Sequence, residues 1–255
     1  MNLFLHGIED FQIVRGDTLR NPAFFEGDHL ATFDCVIANP PFSLEKWGEE
    51  VWQNDPFGRN FAGMPPSSSG DFAWVQHMVK SMAEVTGRMA VVLPQGALFR
   101  KGAEGDIRRK LLELDLIEGV IGLAPNLFYG TGLAACILVL RKRKASARKG
   151  KVMIADASSL FRKGRAQNYM EPEHGAEILN WFQQFTDVQD RVRIVSTDEI
   201  KAEEWTLNIS RFVLPPLNED IPPLPQAIED FKSALERCRE AEARLNTLMT
   251  EGGWL

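Results

Sequence analysis

Asn39-Pro40-Pro41-Phe42 is the group in this chain whose residue types and order suit a reaction. It closes a β-prone segment, Phe33 to Ala38, that contains the run Val36-Ile37-Ala38. Such a segment must end where it meets two prolines, because proline has no N–H to donate to a ladder. In an open α/β sheet the carboxyl ends of strands are where ligands bind. An exocyclic amine on a base, such as adenine N6, is a poor nucleophile because its lone pair is delocalised into the ring. The Asn39 side-chain oxygen and the Pro40 carbonyl can each accept one of its N–H groups. That draws the nitrogen toward a tetrahedral geometry and frees the lone pair to attack an activated methyl group. The two prolines would hold the acceptors rigid, and rigid positioning is a main catalytic resource. Phe42 can stack on a base extruded from a duplex. The same four residues also read as a plain strand followed by an Asn-Pro turn.

The elements that must position this group alternate strand and helix, which predicts an α/β fold. Strands are expected at Phe11 to Val14, Phe33 to Ala38, Arg88 to Leu93, Ile117 to Ile121 and Ala134 to Leu140, the last continuously apolar and central. Lys151 to Ala155 is expected to add an edge strand. Helical spacing covers Asp71 to Glu84, with Asp71 as its N-cap, and Asp106 to Leu114. Between Gln53 and Gly70 the pattern dissolves into Asn, Pro, Gly and Ser, which predicts a loop. It reads either as a segment that orders over a ligand or as a disordered insertion.

Composition bounds the rest. The chain has 255 residues, room for one large or two modest domains with a sizeable core. Neither an apolar run of membrane-spanning length nor a signal-like N-terminus is present in the sequence, so a cytoplasmic protein with no membrane partner is expected. The net charge of −6 argues against a strong grip on DNA by this chain alone, since duplex binding rests on cations. The basic run from Arg141 to Lys151 reads as a solvated loop between strands, with a phosphate contact as the alternative. Cys35, Cys136 and Cys238 are isolated, and the first two, in apolar runs, are expected as buried free thiols. The four histidines lack metal-ligand spacing, so no metal site is expected, and His77 is read as a packing or hydrogen-bonding residue.

Several segments in order carry a resemblance: Met1 to Gly7, Gly16 to Leu19, the Asn39 tetrapeptide, Gly70 to His77, Val91 to Pro94, Gly105 to Lys110, Asn126 to Gly132, Ala135 to Leu140 and Leu207 to Arg211. In them the chain resembles the C-terminal portion of the modification (M) subunit of type I restriction-modification systems, an N6-adenine DNA methyltransferase family. An Asn-Pro-Pro-aromatic motif alone is shared with glutamine and RNA methyltransferases; the Asn126 and Asn208 blocks are more specific. The resemblance implies S-adenosylmethionine as cofactor and Asn39, Pro40, Pro41 and Phe42 as catalytic residues. It implies Asp17, Thr18, Leu19 and Asn39 as cofactor-binding residues, with Asp17 beside the adenine of the cofactor. Read locally, Asp17 is a turn or N-cap aspartate.

The resemblance places Met1 in the helix after the family's second strand. The family's glycine-rich cofactor turn, the acidic residue after its second strand and its helical domain then lack counterparts here. The expectation is a fragment, a truncated product or one half of a split enzyme. Its fold would be an incomplete Rossmann-like methyltransferase sheet with helices on both faces and a C-terminal helix, binding the cofactor weakly or not at all by itself and inactive in isolation. Residues 1–156 are expected as the partial catalytic domain and 157–213 as a helical or irregular extension packed on it. Residues 214–225 read as a Pro-rich linker and 226–255 as a partner-binding helix. The helix carries Ile228, Phe231, Leu235, Cys238, Ala241, Leu245 and Leu248 along one stripe. It reads either as the dock for the specificity (S) subunit or as a helix folded back on its own domain. Further expected partners are DNA through the complex, the restriction (R) subunit and a separate N-terminal half of the M subunit. The expected activity is methyl transfer to adenine N6 in DNA. The alternatives are a non-catalytic assembly module or a protein-glutamine or RNA N-methyltransferase.

Overall fold

The computed structural model describes residues 2–214 and 222–252. Six strands form the main sheet: β1 (Cys35–Ala38), β2 (Arg88–Pro94), β3 (Ile117–Leu123), β4 (Ala135–Arg141), β5 (Lys151–Ala157) and β6 (Val192–Ser196). Their order across the sheet is β6-β5-β3-β4-β2-β1. β1 is parallel to β2, and β3 to β5, while β4 runs antiparallel between β2 and β3 and β6 antiparallel at the edge. Four strands therefore point one way, and the carboxyl ends of β1, β2, β3 and β5 lie along one edge. The Asn39 tetrapeptide, the turn after Pro94 and the Asn126 loop all emerge there.

Alternation along the strands sorts side chains between two cores, as the period of two requires. Val120, Leu138, Val152 and Ile154 face one core, filled by α1 (Asp71–Lys80), α2 (Ala103–Glu113) and the segment Ile200 to Val213. Ile121, Ile137, Met153 and Ala155 face the other, covered by Ile178 and Trp181 of α3 (Pro172–Gln184). Helices thus cover both faces. On β3 a Cβ at Gly122 would lie 2.4 Å from the Ile209 side chain, so the glycine lets the Asn208 block seat against the strand.

Several expected elements differ in the structure. Phe11 to Val14 is not a strand: with no partner to complete a ladder, Ile13 and Val14 are 72% and 54% exposed. β5 is an interior strand, because residues after 157 return β6 to pair outside it. Asp71 is not the N-cap; Gly70 holds that position and Asp71 is the first helical residue. α1 stops at Lys80, and α2 starts at Ala103. Cys35 is exposed because its strand is the last in the sheet order, whereas Cys136, in a central strand, is buried and its thiol pushed up to about 12 by burial.

The loop from Gln53 to Gly70 is packed. Arg59, 1% exposed, pairs with Asp55 at 2.7 Å, donates to the Thr18 carbonyl and lies over the Trp52 ring. The Gln76 side chain accepts from the Ala62 N–H and donates to the Gly63 carbonyl, tying the loop to α1. The basic run is a solvated loop only in part: Arg143, Lys149 and Lys151 are exposed and, among the described residues, form no ion pair, while the other four cations are paired. Arg141 and Arg148 face buried Glu118, Lys142 pairs with Glu84, and Lys144 is buried on Asp115.

The chain divides into two compact units at residues 215/216. The second holds α4 (Leu224–Glu251), about 42 Å long at 1.5 Å per residue. It begins inside the span expected as a linker, of which residues 215–221 lie outside the described residues. Among the described residues no helix is long and apolar enough to cross a membrane.

Leu138, 2% exposed in β4, has strands on both sides. Leu138→Ala is expected to cost about 3 kcal/mol, within the range for large-to-small core changes, read as a lowered urea midpoint at unchanged m-value.

Candidate active site

Asn39 and Pro41 are exposed, Pro40 is buried and Phe42 is half-buried. The prolines end β1 as their chemistry requires, and the chain then turns at Ser43 with φ +49°, a left-handed value costly for a residue with a Cβ. Asp71 holds this turn in place. Its carboxylate, 0% exposed, accepts from the Ser43 N–H at 2.8 Å and from Arg100 Nη1 at 2.9 Å. Arg100 also donates to Ser43 Oγ at 3.1 Å and to Glu104 Oε1 at 3.2 Å, and Glu104 accepts from Ser69 Oγ at 3.0 Å. Burial works against the Arg100 charge, but the bond to Asp71 and the nearby carboxylates win and raise its pKa. Arg108 donates to the Ala97 and Arg100 carbonyls, and burial brings it down to about 10. One cation with two buried carboxylates thus joins the tetrapeptide, α1 and the turn before α2.

Opposite the tetrapeptide is the loop from Pro125 to Ala134, which joins β3 to β4. Phe42 meets Phe128 edge-on at 5.9 Å and 74°. The open cleft between them, about 580 Å3, is lined by Asn39 to Ser43 on one side and by Phe128, Tyr129, Thr131 and Leu133 on the other. Tyr129 is 89% exposed, unusual for an aromatic ring in a loop held at both ends by sheet strands. Asn126 opens the loop with φ +57°, which asparagine tolerates.

A second cavity, about 340 Å3, lies beside β1 and is lined by Gly16, Thr18, Val36, Ala38, Trp74 and His77 among others. Trp74 Nε1 and His77 Nδ1 are buried without a hydrogen-bond partner among the described residues. Burial first, then the Arg59 charge, lowers His77 to about 4. Asp17 is half-exposed, and its Oδ1 accepts from the Leu19 and Arg20 N–H groups at 3.1 Å, a local aspartate turn. Leu19 is fully buried against Trp47 and Trp52. Of the cofactor-binding candidates, Thr18 lines this cavity, while Asn39 lines the cleft that begins one residue beyond Ala38.

The sequence points to Asn39 through Phe42 and to Asp17, Thr18 and Leu19, of which Asp17 and Leu19 do not line the cavity beside β1. It gave no role to Phe128, Tyr129, Arg100 or Glu104. The Asn126 to Gly132 block was conspicuous for its glycines and aromatics, which was the available signal for the loop; nothing in the spacing marked Arg100.

With this geometry in view, residues 1–220 match the family described as N-6 DNA Methylase. The chain belongs to that family. It is 34% identical over 251 residues to the type I restriction enzyme MjaVII methylase subunit of Methanocaldococcus jannaschii, covering 94% of this chain and 42% of the relative. It is 30% identical over 222 residues to the HindI methylase subunit of Haemophilus influenzae, covering 84% and 48%. Among solved structures, the type I restriction-modification methyltransferase subunit from Streptococcus thermophilus superposes with a TM-score of 0.76 at 34% identity, covering 84% of this chain and 45% of that one. The chain spans less than half the length of these N-6 DNA methylase relatives.

Arg100→Met should cost about 3 kcal/mol, because it leaves two buried carboxylates without their cation. Chemical denaturation of the variant tests this. His77 has a folded value near 4 against an ordinary 6.5, so the fold favours its neutral form. Its contribution is complete above about pH 6.5 and is lost as pH falls toward 4, by about 1.4 kcal/mol per unit. A His77→Gln variant should lose less stability between pH 6.5 and 4.5 in thermal unfolding than the parent does.

Proposed function

We propose that this chain is the catalytic portion of a type I modification methyltransferase that transfers a methyl group to adenine N6 in DNA. The observation that carries this reading is the cleft. Asn39 and Pro40 sit at the carboxyl end of β1, braced from behind by Asp71 and faced by Phe128 and Tyr129. The Asn39 oxygen and the Pro40 carbonyl accept the two N–H groups of the exocyclic amine, and burial of Pro40 keeps that carbonyl from moving. Phe42, edge-on to Phe128, supplies one aromatic wall for an extruded base. Exposed Tyr129 supplies a second aromatic face close by.

S-adenosylmethionine is the methyl donor that the family implies, and it supplies a methyl group on a positively charged sulfur. The cavity beside β1 fits part of such a molecule. It adjoins the strand end that carries Asn39, and its unpartnered Trp74 N–H and neutral His77 ring give a donor and an acceptor for hetero atoms. Thr18, with Asp17 beside it, is the position on this chain nearest to the role expected for the cofactor's base. Asp17 would have to turn from its local hydrogen bonds to serve it, and Leu19 would contribute packing and backbone alone.

The same reading assigns α4 to assembly with the specificity subunit, with DNA and the restriction subunit reached through that complex. Phe231, Leu245 and Leu248 are 67%, 58% and 55% exposed on one stripe of a helix that has no buried residue. A stripe that wide left in water marks a surface for another helix.

Asn39→Ala in the assembled methyltransferase should abolish N6-methyladenine formation, measured by mass spectrometry of DNA nucleosides, while assembly on a sizing column is retained. Near-wild-type transfer would remove Asn39 from the reaction. Phe42→Ala and Tyr129→Ala should be milder, since base stacking is worth roughly 1–3 kcal/mol. Leu235→Glu with Leu245→Glu should abolish capture of the specificity subunit and leave the unfolding temperature of the first unit within experimental scatter. A fall in that temperature would instead make α4 part of the chain's own core.

A further inference from the structure

We propose that the short ribbon formed by Arg162–Lys163 and Asn168–Tyr169 is a DNA-backbone contact, in which Lys163 and Arg165 hold phosphates of the strand whose base enters the cleft. The proposal rests on the reading of the site as a DNA methyltransferase.

The chain is acidic overall, and much of its positive charge is used internally. Arg59, Arg100, Arg141, Lys142, Lys144 and Arg148 are all committed to carboxylates. Lys163 and Arg165 belong with the surface cations, such as Arg143 and Lys149, that have no carboxylate partner among the described residues. Both are exposed, and among the described residues neither forms an ion pair.

Their place in the fold gives this charge a use. The ribbon follows the carboxyl end of β5, on the edge from which the tetrapeptide and the Asn126 loop emerge. Three hydrogen bonds fasten it to that loop. The Asn168 N–H donates to the Asn126 carbonyl at 2.8 Å, Asn168 Nδ2 to the Pro125 carbonyl at 2.8 Å, and Asn126 Nδ2 to the Ala166 carbonyl at 3.2 Å. Phe128 and Tyr129 follow on the same loop, so ribbon and cleft wall are one fastened piece.

The register decides which cation faces the cleft loop. Residues opposite one another in an antiparallel pair send their side chains to the same face. Lys163 is opposite Asn168, whose side chain reaches Pro125, so Lys163 lies on the face turned toward the loop. Arg162 is opposite Tyr169, lies 4.8 Å over its ring and pairs with Glu171. The ribbon therefore neutralises its outer arginine and leaves the inner lysine free. A side chain at Gly164 would come within 2.3 Å of the Tyr169 ring, so the turn stays tight and Arg165 sits at its tip. A free lysine and a free arginine beside a cleft for an extruded base match the backbone phosphates on either side of that base. Such contacts fix position without reading sequence.

The test uses the assembled methyltransferase and an end-labelled duplex of about 30 base pairs of arbitrary sequence, since phosphate contacts need no recognition site. Each lost phosphate contact lowers the slope of log K against log salt by about 0.9. K163A/R165A should therefore bind with a slope shallower by about 2, so a fourfold rise in salt weakens the parent about tenfold more than the variant. Lys149→Ala, an exposed lysine at the amino-terminal end of β5, should leave the slope unchanged. In methylation assays the double variant should raise the KM for DNA and keep kcat. An unchanged slope overturns the proposal, and so does a lower kcat at an unchanged slope, which would mean that the ribbon only shapes the loop. The binding measurement needs no turnover. A parent assembly that makes no N6-methyladenine would therefore defeat the reading of the site and still leave the ribbon to be judged by its slope.

Discussion

A carboxylate that is wholly buried must be met by donors, and Asp71 sets this requirement directly behind the tetrapeptide. Stripped of partners, such a group is among the costlier things a protein can bury. Its two oxygens are met by the Ser43 amide and the Arg100 guanidinium. To satisfy Asp71, the chain after Phe42 must turn at Ser43 in a left-handed conformation, and the turn before α2 must bring Arg100 underneath. The tetrapeptide, already stiffened by its two prolines, is then held from behind by a helix. Glu104 completes the set, and Gly96 leaves room for the guanidinium, since a Cβ there would lie 2.9 Å from it.

The sheet converts that local anchor into a site. Because β1, β2, β3 and β5 run in one direction, their carboxyl ends bring together segments far apart in sequence. These are the acceptors of Asn39 and Pro40, the aromatics of the Asn126 loop and the ribbon after β5. The antiparallel β4 is what turns the Asn126 loop back across the edge to face Phe42. Polar acceptors on one wall and aromatic rings on the other are what the proposed reading asks of a site for a flat base with an exocyclic amine.

Charge is distributed with the same division of labour. The run from Arg141 to Lys151 reads in one dimension as a solvated loop, with a phosphate contact as the alternative, yet four of its cations, Arg141, Lys142, Lys144 and Arg148, are paired with carboxylates. Arg148 stacks on Phe182 and Phe185, donates to the carbonyls that end α3 and meets Glu118. The free cations near the cleft sit in a two-stranded ribbon that no charge count singles out.

The sequence by itself determined what depends on neighbouring residues. Two prolines after Val36-Ile37-Ala38 had to end a strand, and β1 ends there. The apolar runs of β2, β3 and β4 had to be buried, and the stripe on α4 had to be helical. Boundaries moved where a neighbour in space intervened: Asp71 looked like a cap because aspartate before an apolar helix commonly is one, but its carboxylate was needed by Arg100. Phe11 to Val14 had strand composition and lacked a partner strand, and Cys35 had an apolar context and lies in the last strand of the sheet order. The tertiary structure alone decided the strand order, the packing of the loop from Gln53 to Gly70 and the meeting of Phe42 with Phe128. It also decided that Lys163 is free while Lys144 is buried. Each of these depends on which groups meet across long stretches of chain, and the burial and pairing of a charge are properties of that meeting.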